Sequence, residues 1–471
     1  MAAPPMTIRN LTCHAFNVKH YEVHDLHHTI NGRGGYFNVT SLWNTPANVK
    51  PPEISLEDLS VVVEPFNSCK VNVKPAKPPH QSLNIYIELM GELYETNISH
   101  RTRQCQLLMP ITSNSPQSSH RHHTAIYLRE YHHLTIFYRG PTTSWMHSLK
   151  DETPLSALSI PGTHNSPTYH RALPSVRCQV KPVREQMQQG IRFLDIRVQP
   201  ESPLDPSKDG LILVHGVFPI SLTGARYFRT LINEVNLFLD QNPSETIIMS
   251  LKREGPGSAT DAQLSRILRD HYAGDVNRWF TAPRIPTLGE ARGKIVLIRR
   301  FNLEDRLNIE WGGAGWCIDA GIWADNTPHS LCPSGHICFQ DFYEVLETET
   351  IEKKIQYCID HLKRAAQCVW PARIEPKQPF YINFLTASNF WRQSCWPDQI
   401  AAKLNPAILE YLCTKHNTSE AINSSEGGEQ CALGDGSTGI VVCDWVGHHE
   451  NWDLVRCIIG MNAKFVASLS S

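Results

Sequence analysis

The chain has no excess of charge of either sign: its 471 residues carry a formal net charge of -2. That balance speaks against a nucleic-acid partner or a strongly anionic one. A long apolar run is missing as well. No stretch approaches the roughly 20 apolar residues a membrane-spanning helix needs, so no transmembrane segment is expected and any contact with lipid should be peripheral. The first thirty residues include Arg9, Lys19, Glu22 and Asp25 and no continuous apolar core, so no secretory leader is expected. Paired CxxC and HExxH spacings are absent, and the loop histidines His120, His122, His123, His448 and His449 are read as solvated rather than as a zinc site. Gly434 to Gly439 has the GxGxxG spacing but precedes a strand, whereas a dinucleotide loop must follow one. No cofactor is expected.

What is present begins with 14 scattered cysteines. Several (Cys358, Cys413, Cys443, Cys457) fall inside apolar runs, where a thiol packs as a small hydrophobe. Without a leader, reduced thiols and a cytoplasmic location are expected. The Asn-x-Ser/Thr triplets at Asn10, Asn38 and Asn97 would matter only in an exported chain.

Two patterns divide the sequence. Residues 1–140 carry short apolar or alternating runs: Met6 to Asn10, Val61 to Pro65, Cys69 to Val73, Leu83 to Leu93, Gln106 to Met109 and Ala125 to Tyr138. Helical periodicity is missing there, which predicts a sandwich-like all-β domain of unassigned role. The polar tract Thr112 to Thr124 reads as an exposed loop. From residue 142 to 471, strands alternate with helices. Apolar runs occur at Leu158 to Ile160, Phe193 to Val198, Leu211 to Val214, Thr246 to Leu251, Ile295 to Ile298, Ile337 to Phe339, Phe380 to Leu385 and Gly439 to Asp444. Phe228, Leu231, Val235 and Phe238 step along one helix face, as do Ile351, Ile355, Ile359 and Leu362. The class is α/β, a distorted TIM-type (β/α)8 barrel, irregular between Asn302 and Ser334.

Barrel chemistry sits where strands end. Here those ends are polar: His164 and Asn165 after the first run, Asp195 and Arg197 in the second, His215 after the third. Lys252, Arg253 and Glu254 close the fourth, Arg299 and Arg300 the fifth, Asp341 and Tyr343 the sixth, and Asp444 the eighth. Any single one is an ordinary strand terminus meeting solvent. Together they would converge on one mouth.

These residues also carry a resemblance. Leu155 to Ser166 (LSALSIPGTHNS), with Ser144, Trp145 and Met146 before it, resembles the opening of the catalytic barrel of bacterial-type phosphatidylinositol-specific phospholipases C. FLDIR, LVHG, ETIIMSLKRE, GKIVLIRRF and QDFY follow in that family's order. The resemblance covers residues 142–471 and says nothing about the first 140.

It implies a phosphodiesterase of phosphatidylinositol in membranes that uses no metal. His164 would be the base on the inositol 2-hydroxyl and His215 the acid on the departing diacylglycerol oxygen, leaving a cyclic inositol phosphate. Asp444 would orient His164, Arg197 would hold the phosphate and Asp195 would brace Arg197. Lys252, Arg300 and Asp341 would contact inositol hydroxyls, with Tyr343 stacking on the ring and Glu254 bracing Lys252. Asn165, also grouped with the substrate contacts, stands where that type has Asp. Metal-dependent relatives bind Ca2+ through carboxylates where this chain has Arg197 and Lys252, and two cations would repel the ion. Phe390, Trp391 and Trp396 are candidates for an apolar rim or for packing inside their own loop. Two other readings stay open: a related enzyme acting on another inositol lipid or a lysolipid, and an idle lipid-binding barrel.

Overall fold

Alternation drives the strands of the first unit. In Gln81–Leu89, Ile85, Ile87 and Leu89 turn into the core, while Tyr86 and Glu88 between them are only half-buried. The computed structural model describes residues 5–25, 54–74, 81–98, 105–111, 123–205, 207–346, 348–371, 378–418 and 434–467. The chain divides into two compact units, Met1–Tyr138 and Arg139–Ser471.

The first unit contains β1 (Met6–Leu11), β2 (Phe16–Asp25), β3 (Ile54–Val63), β4 (Ser68–Val71), β5 (Gln81–Leu89), β6 (Glu92–Ile98), β7 (Gln106–Leu107), β8 (Met109–Pro110), β9 (His123–Leu128) and β10 (His133–Tyr138). They form two five-stranded sheets, β4-β1-β10-β9-β7 and β3-β2-β5-β6-β8. Ile8, Leu134 and Ile136 from one sheet share a core with Val18, Tyr21 and Ile87 from the other. The run from Ala125 to Tyr138 is two antiparallel strands, broken at Arg129–Tyr131 with His132 in the left-handed region at φ 45°. Of the tract Thr112 to Thr124, only His123 and Thr124 are among the described residues, and both belong to β9.

The second unit is built on a twelve-stranded, mainly parallel sheet with helices. Its strands are β11 (Ile160–Thr163), β12 (Phe193–Pro200), β13 (Leu211–His215), β14 (Phe218–Pro219), β15 (Ile247–Arg253), β16 (Trp279–Phe280), β17 (Ile295–Arg300), β18 (Ile318–Asp319), β19 (Thr327–Leu331), β20 (Ile337–Asp341), β21 (Phe380–Phe384) and β22 (Ile440–Cys443). The parallel path runs β18-β17-β15-β12-β11-β22-β21-β20. Its two ends do not pair among the described residues, so the sheet is a curled, open barrel. The gap falls where the long segment between β17 and β20 supplies only the short β18 and the antiparallel β19.

One expected barrel strand is not one. Leu211–His215 pairs antiparallel with the far end of β12 and then with β14, a hairpin standing on the sheet rather than a stave of it. Four apolar residues cannot by themselves distinguish the two. The helix Phe228–Gln241 buries Phe228, Leu231, Val235 and Phe238 as their spacing predicts. In Thr348–Ala366 the buried stripe is rotated: Ile351, Lys354, Cys358, His361 and Leu362 are buried, while Ile355 and Ile359 are only half-buried.

Candidate active site

Three side chains are set by abrupt strand endings. His164 and Asp444 each follow a strand, His215 ends one, and each precedes a residue in the left-handed region: Asn165 at φ 42°, Gly216 at φ 56° and Trp445 at φ 52°. For Asn165 and Trp445 that conformation costs on the order of 1–3 kcal/mol, a strain that packing must hold in place. Gln179 helps to hold two of these ends, donating to the carbonyls of His164 and Cys443 at 2.8 and 2.9 Å.

His164 and His215 face each other with ring centroids 5.7 Å apart. Nδ1 of His164 lies 3.0 Å from Oδ1 of buried Asp444, which fixes Nε2 as the nitrogen left for chemistry. Nδ1 of His215 lies 2.8 Å from the carbonyl oxygen of Val176, so it carries the proton and again Nε2 is the nitrogen left for chemistry. Cys178 Sγ sits 3.8 Å from the same Nδ1. Burial, reinforced by Arg197 and by His215, holds the His164 imidazole well below its usual range. Burial and Arg197 also lower His215, opposed by its bond to Val176. Both rings therefore rest neutral at pH 7.

Strand register places three cations side by side: Arg197 on β12 is level with Lys252 on β15, and Lys252 with Arg300 on β17. Such a row persists only because carboxylates are threaded through it. Glu254 accepts from Arg197 Nη1 at 2.8 Å, lies 2.9 Å from Lys252 Nζ and takes the Gly216 amide at 2.8 Å. Burial resists its charge, but Arg197 and Lys252 prevail and bring Glu254 down to about 2. Asp195 Oδ2 accepts from Arg197 at 3.2 Å and from the Asn165 amide at 3.2 Å. Burial lowers Arg197 and its carboxylate neighbours, Glu254 first, raise it; the net direction is upward. Arg197 is charged at any working pH.

Arg300 is buried between Asp195 and Asp341, at 3.8 and 3.7 Å, with its guanidinium 3.8 Å above the Trp323 ring. Trp323 Nε1 donates to Asp341 at 2.9 Å. Sequence reading missed Trp323 because it lies in the irregular segment, where no periodicity marks a buried face. Val176 and Cys178, in the stretch between β11 and Val183, were missed because Val176 acts through its backbone carbonyl and no periodicity marks that stretch. Tyr343 stands apart, its hydroxyl 2.8 Å from Asp325 and no described contact tying it to the histidines. Asn165 donates its amide to His164 Nε2 at 3.1 Å rather than meeting Arg197. Asn165 Oδ1 and Asp195 Oδ1 are buried acceptors with no hydrogen-bond partner among the described residues.

An apolar edge adjoins His215. Val217 is exposed, and Phe218 stacks on Phe390 with centroids 5.4 Å apart. Trp391 is 88% exposed, whereas Trp396 is half-buried and donates its Nε1 to the Phe390 carbonyl.

Residues 152–301 match the family model for the phosphatidylinositol-specific phospholipase C X domain. A 1-phosphatidylinositol phosphodiesterase of Listeria monocytogenes is 35% identical over 177 residues, covering 36% of this chain and 52% of that relative. The match thus spans about half of the relative's length. A protein of the same description from Staphylococcus aureus is 25% identical over 282 residues, 57% of this chain and 83% of the relative. A variant of the phosphatidylinositol-specific phospholipase C from S. aureus superposes with a TM-score of 0.52 at 24% identity, covering 68% of this chain and 97% of that one, which shows a shared fold. Over residues 152–301 the second unit of this chain thus resembles the X domain of phosphatidylinositol-specific phospholipases C, and it shares their fold.

Proposed function

We propose that this chain is a phosphodiesterase that cleaves phosphatidylinositol-type lipids by intramolecular attack of the inositol 2-hydroxyl, without a metal ion. The observation that carries the reading is the pair of half-buried, neutral imidazoles 5.7 Å apart beside the fixed charge of Arg197. Cleaving a phosphodiester needs a base, an acid and positive charge on the phosphoryl oxygens. The names of the L. monocytogenes and S. aureus relatives support the substrate class.

His164 Nε2 takes the 2-hydroxyl proton, and Asp444 holds the imidazolium that forms. The oxygen attacks phosphorus while Arg197 pairs with the non-bridging oxygens. His215 Nε2 delivers a proton to the departing diacylglycerol oxygen. The burial that keeps His215 neutral in the free protein is offset when the anionic phosphate arrives, because a nearby negative charge raises an imidazole pKa. Arg300, Lys252, Asp341 and the unpartnered Asn165 Oδ1 and Asp195 Oδ1 are placed to bind the polyol.

The residues do not fit Ca2+. That ion needs six or more oxygens, yet Glu254 spends both of its own on Arg197, Lys252 and the Gly216 amide and Asp195 spends Oδ2 on Arg197 and the Asn165 amide, which leaves only Asp195 Oδ1 and Asn165 Oδ1 open. A second cation there would lie against the Arg197 guanidinium.

The edge formed by Val217, Phe218, Phe390 and Trp391 is the surface that meets the lipid bilayer, since exposed indole and aliphatic groups partition into the headgroup region. No described helix is long and apolar enough to cross a membrane.

The test is phosphorus NMR of the products from phosphatidylinositol incubated with the chain in excess EGTA. A cyclic inositol phosphate signal is expected. An absolute requirement for Ca2+, or a linear phosphate as first product, would overturn the reading.

A further inference from the structure

The rotated stripe on the helix Thr348–Ala366 leaves two polar side chains buried against the sheet, Lys354 and His361, and the second makes no well-formed hydrogen bond. His361 is fully buried, and neither of its ring nitrogens makes a hydrogen bond of good geometry, its nearest polar neighbour being the Cys338 backbone. A buried imidazole without well-formed hydrogen bonds forfeits the desolvation cost of two polar atoms, which native proteins rarely accept without a ligand. Around it stand two further donors. His329 on β19 and buried Cys338 on β20 come together because these strands pair antiparallel, Leu331 level with Cys338. One ligand atom from each of His329, Cys338 and His361 lies within 4.8 Å of the others.

We propose that His329, Cys338 and His361 form a binding site for a thiophilic d10 cation, Zn2+ or Cu(I). The spacing supports this. Zinc bonds of about 2.3 Å to sulfur and about 2.05 Å to nitrogen at a tetrahedral angle place the two ligand atoms about 3.6 Å apart. Cys338 Sγ and His329 Nδ1 are separated by 3.7 Å. A hydrogen bond from a thiol explains that distance for one pair of the three, but it leaves His361 unsatisfied.

The protonation chemistry is compatible. Burial, with Arg364 and then His329 beside it, brings His361 down to about 3, so its ring is neutral and both lone-pair assignments are open to a metal. Burial pushes the Cys338 thiol up to about 11, with Arg364 opposing. Binding must therefore release the thiol proton: M + HS–Cys338 becomes M–S–Cys338 plus one H+. Arg364 lowers the cost of the thiolate but repels the cation, which favours a soft ion whose charge the sulfur largely cancels. His329 is exposed, and gives the ion both an entry path and an open position for water.

The site is separate from the histidine pair. Cys338 precedes Asp341 by three positions on β20, so the two side chains leave opposite faces of the sheet. Its occupation would tie β19, β20 and the helix together next to the gap where the sheet is open. That is a role in stability, independent of the phosphodiesterase reading.

The experiment uses the full chain stripped with chelator and titrated with Co2+ as a spectroscopic stand-in for Zn2+, and separately with Cu(I). One equivalent of Co2+ should give a thiolate-to-cobalt charge-transfer band with tetrahedral d–d absorption, bleached by Zn2+, with release of one proton. Zn2+ should raise the thermal midpoint of the wild type and not of Cys338→Ser. The band should vanish in Cys338→Ser and weaken in His329→Gln at an exposed position, and circular dichroism checks the fold of both variants. Displacement of bound Co2+ by Cu(I) but not by Zn2+ would assign the site to copper within the same chemistry. Absence of a thiolate band with both ions in the folded wild type overturns the proposal. So does a band that survives Cys338→Ser and is lost in Cys178→Ser, since that places the metal between His164 and His215.

Discussion

Arg197 Nη2 lies 2.8 Å from Nε2 of His164, so a guanidinium N–H, together with the Asn165 amide at 3.1 Å, covers the lone pair proposed to accept the hydroxyl proton. The contact holds His164 neutral and keeps its basic nitrogen covered. An arriving phosphodiester offers Arg197 two oxygens in the planar geometry it prefers, which draws it off the ring and uncovers the base only when substrate is present. Arg197→Lys keeps the charge but loses the fork that spans Glu254, Asp195 and phosphate at once. Turnover should fall by about two to three orders of magnitude, the usual worth of one preorganised donor on a developing charge. Steady-state rates of the lysine variant near wild type would show that charge alone suffices.

His164→Ala and His215→Ala should each lower turnover on phosphatidylinositol by about two to four orders of magnitude. Their roles separate on a p-nitrophenyl ester of inositol phosphate, whose leaving group needs little protonation. His215→Ala should be partly rescued on that ester and His164→Ala should not. Equal rescue of both variants would mean that acid and base are wrongly assigned.

The free-enzyme pH profile should be shifted to the acid side. His164 must be neutral to act, and its imidazole is held well below 6.5, so the acid limb of kcat/KM should lie well below pH 6.5. Arg197 is the largest cause after burial. An NMR titration of the His164 ring in Arg197→Gln should therefore show its pKa rising toward 6.5. No movement would remove Arg197 as a cause of the shift.

Trp391→Ala should weaken binding to phosphatidylinositol-containing vesicles and lower turnover on them, with little change on a soluble inositol phosphodiester. Trp391 is 88% exposed and holds no polar contact to the histidines, so its loss should act through the interface alone. Vesicle sedimentation and soluble-substrate kinetics on one preparation distinguish the two effects.

Stability should depend on a buried ion pair remote from the chemistry. Arg192 and Glu245 meet at 2.8 Å with both side chains fully buried. Glu245→Gln leaves the guanidinium charge uncompensated, and the expected cost is about 3–5 kcal/mol. Chemical denaturation read from the tryptophans of the second unit measures it. A change below about 1 kcal/mol would mean that the carbonyl bonds of Arg192 carry the site.

Local pattern by itself determined which segments form strands and helices and that the strands of the second half end in polar groups. Alternation and the three-and-four spacing are properties of neighbours in sequence, and Phe228, Leu231, Val235 and Phe238 needed nothing more to declare a buried face. Only the tertiary structure decided that Leu211–His215 is a hairpin on β12, because a short apolar run is equally a barrel stave and pairing is chosen by distant backbone. It likewise decided the partner of each imidazole: Asp444 reaches His164 across 280 residues, and His215 finds a carbonyl, Val176, that carries no side-chain signal. The burial of Lys354 and His361 was hidden for a third reason. Polar side chains read as solvent-facing unless something across the interface satisfies or requires them, and Gln340, which accepts from Lys354 at 2.9 Å, lies on another element.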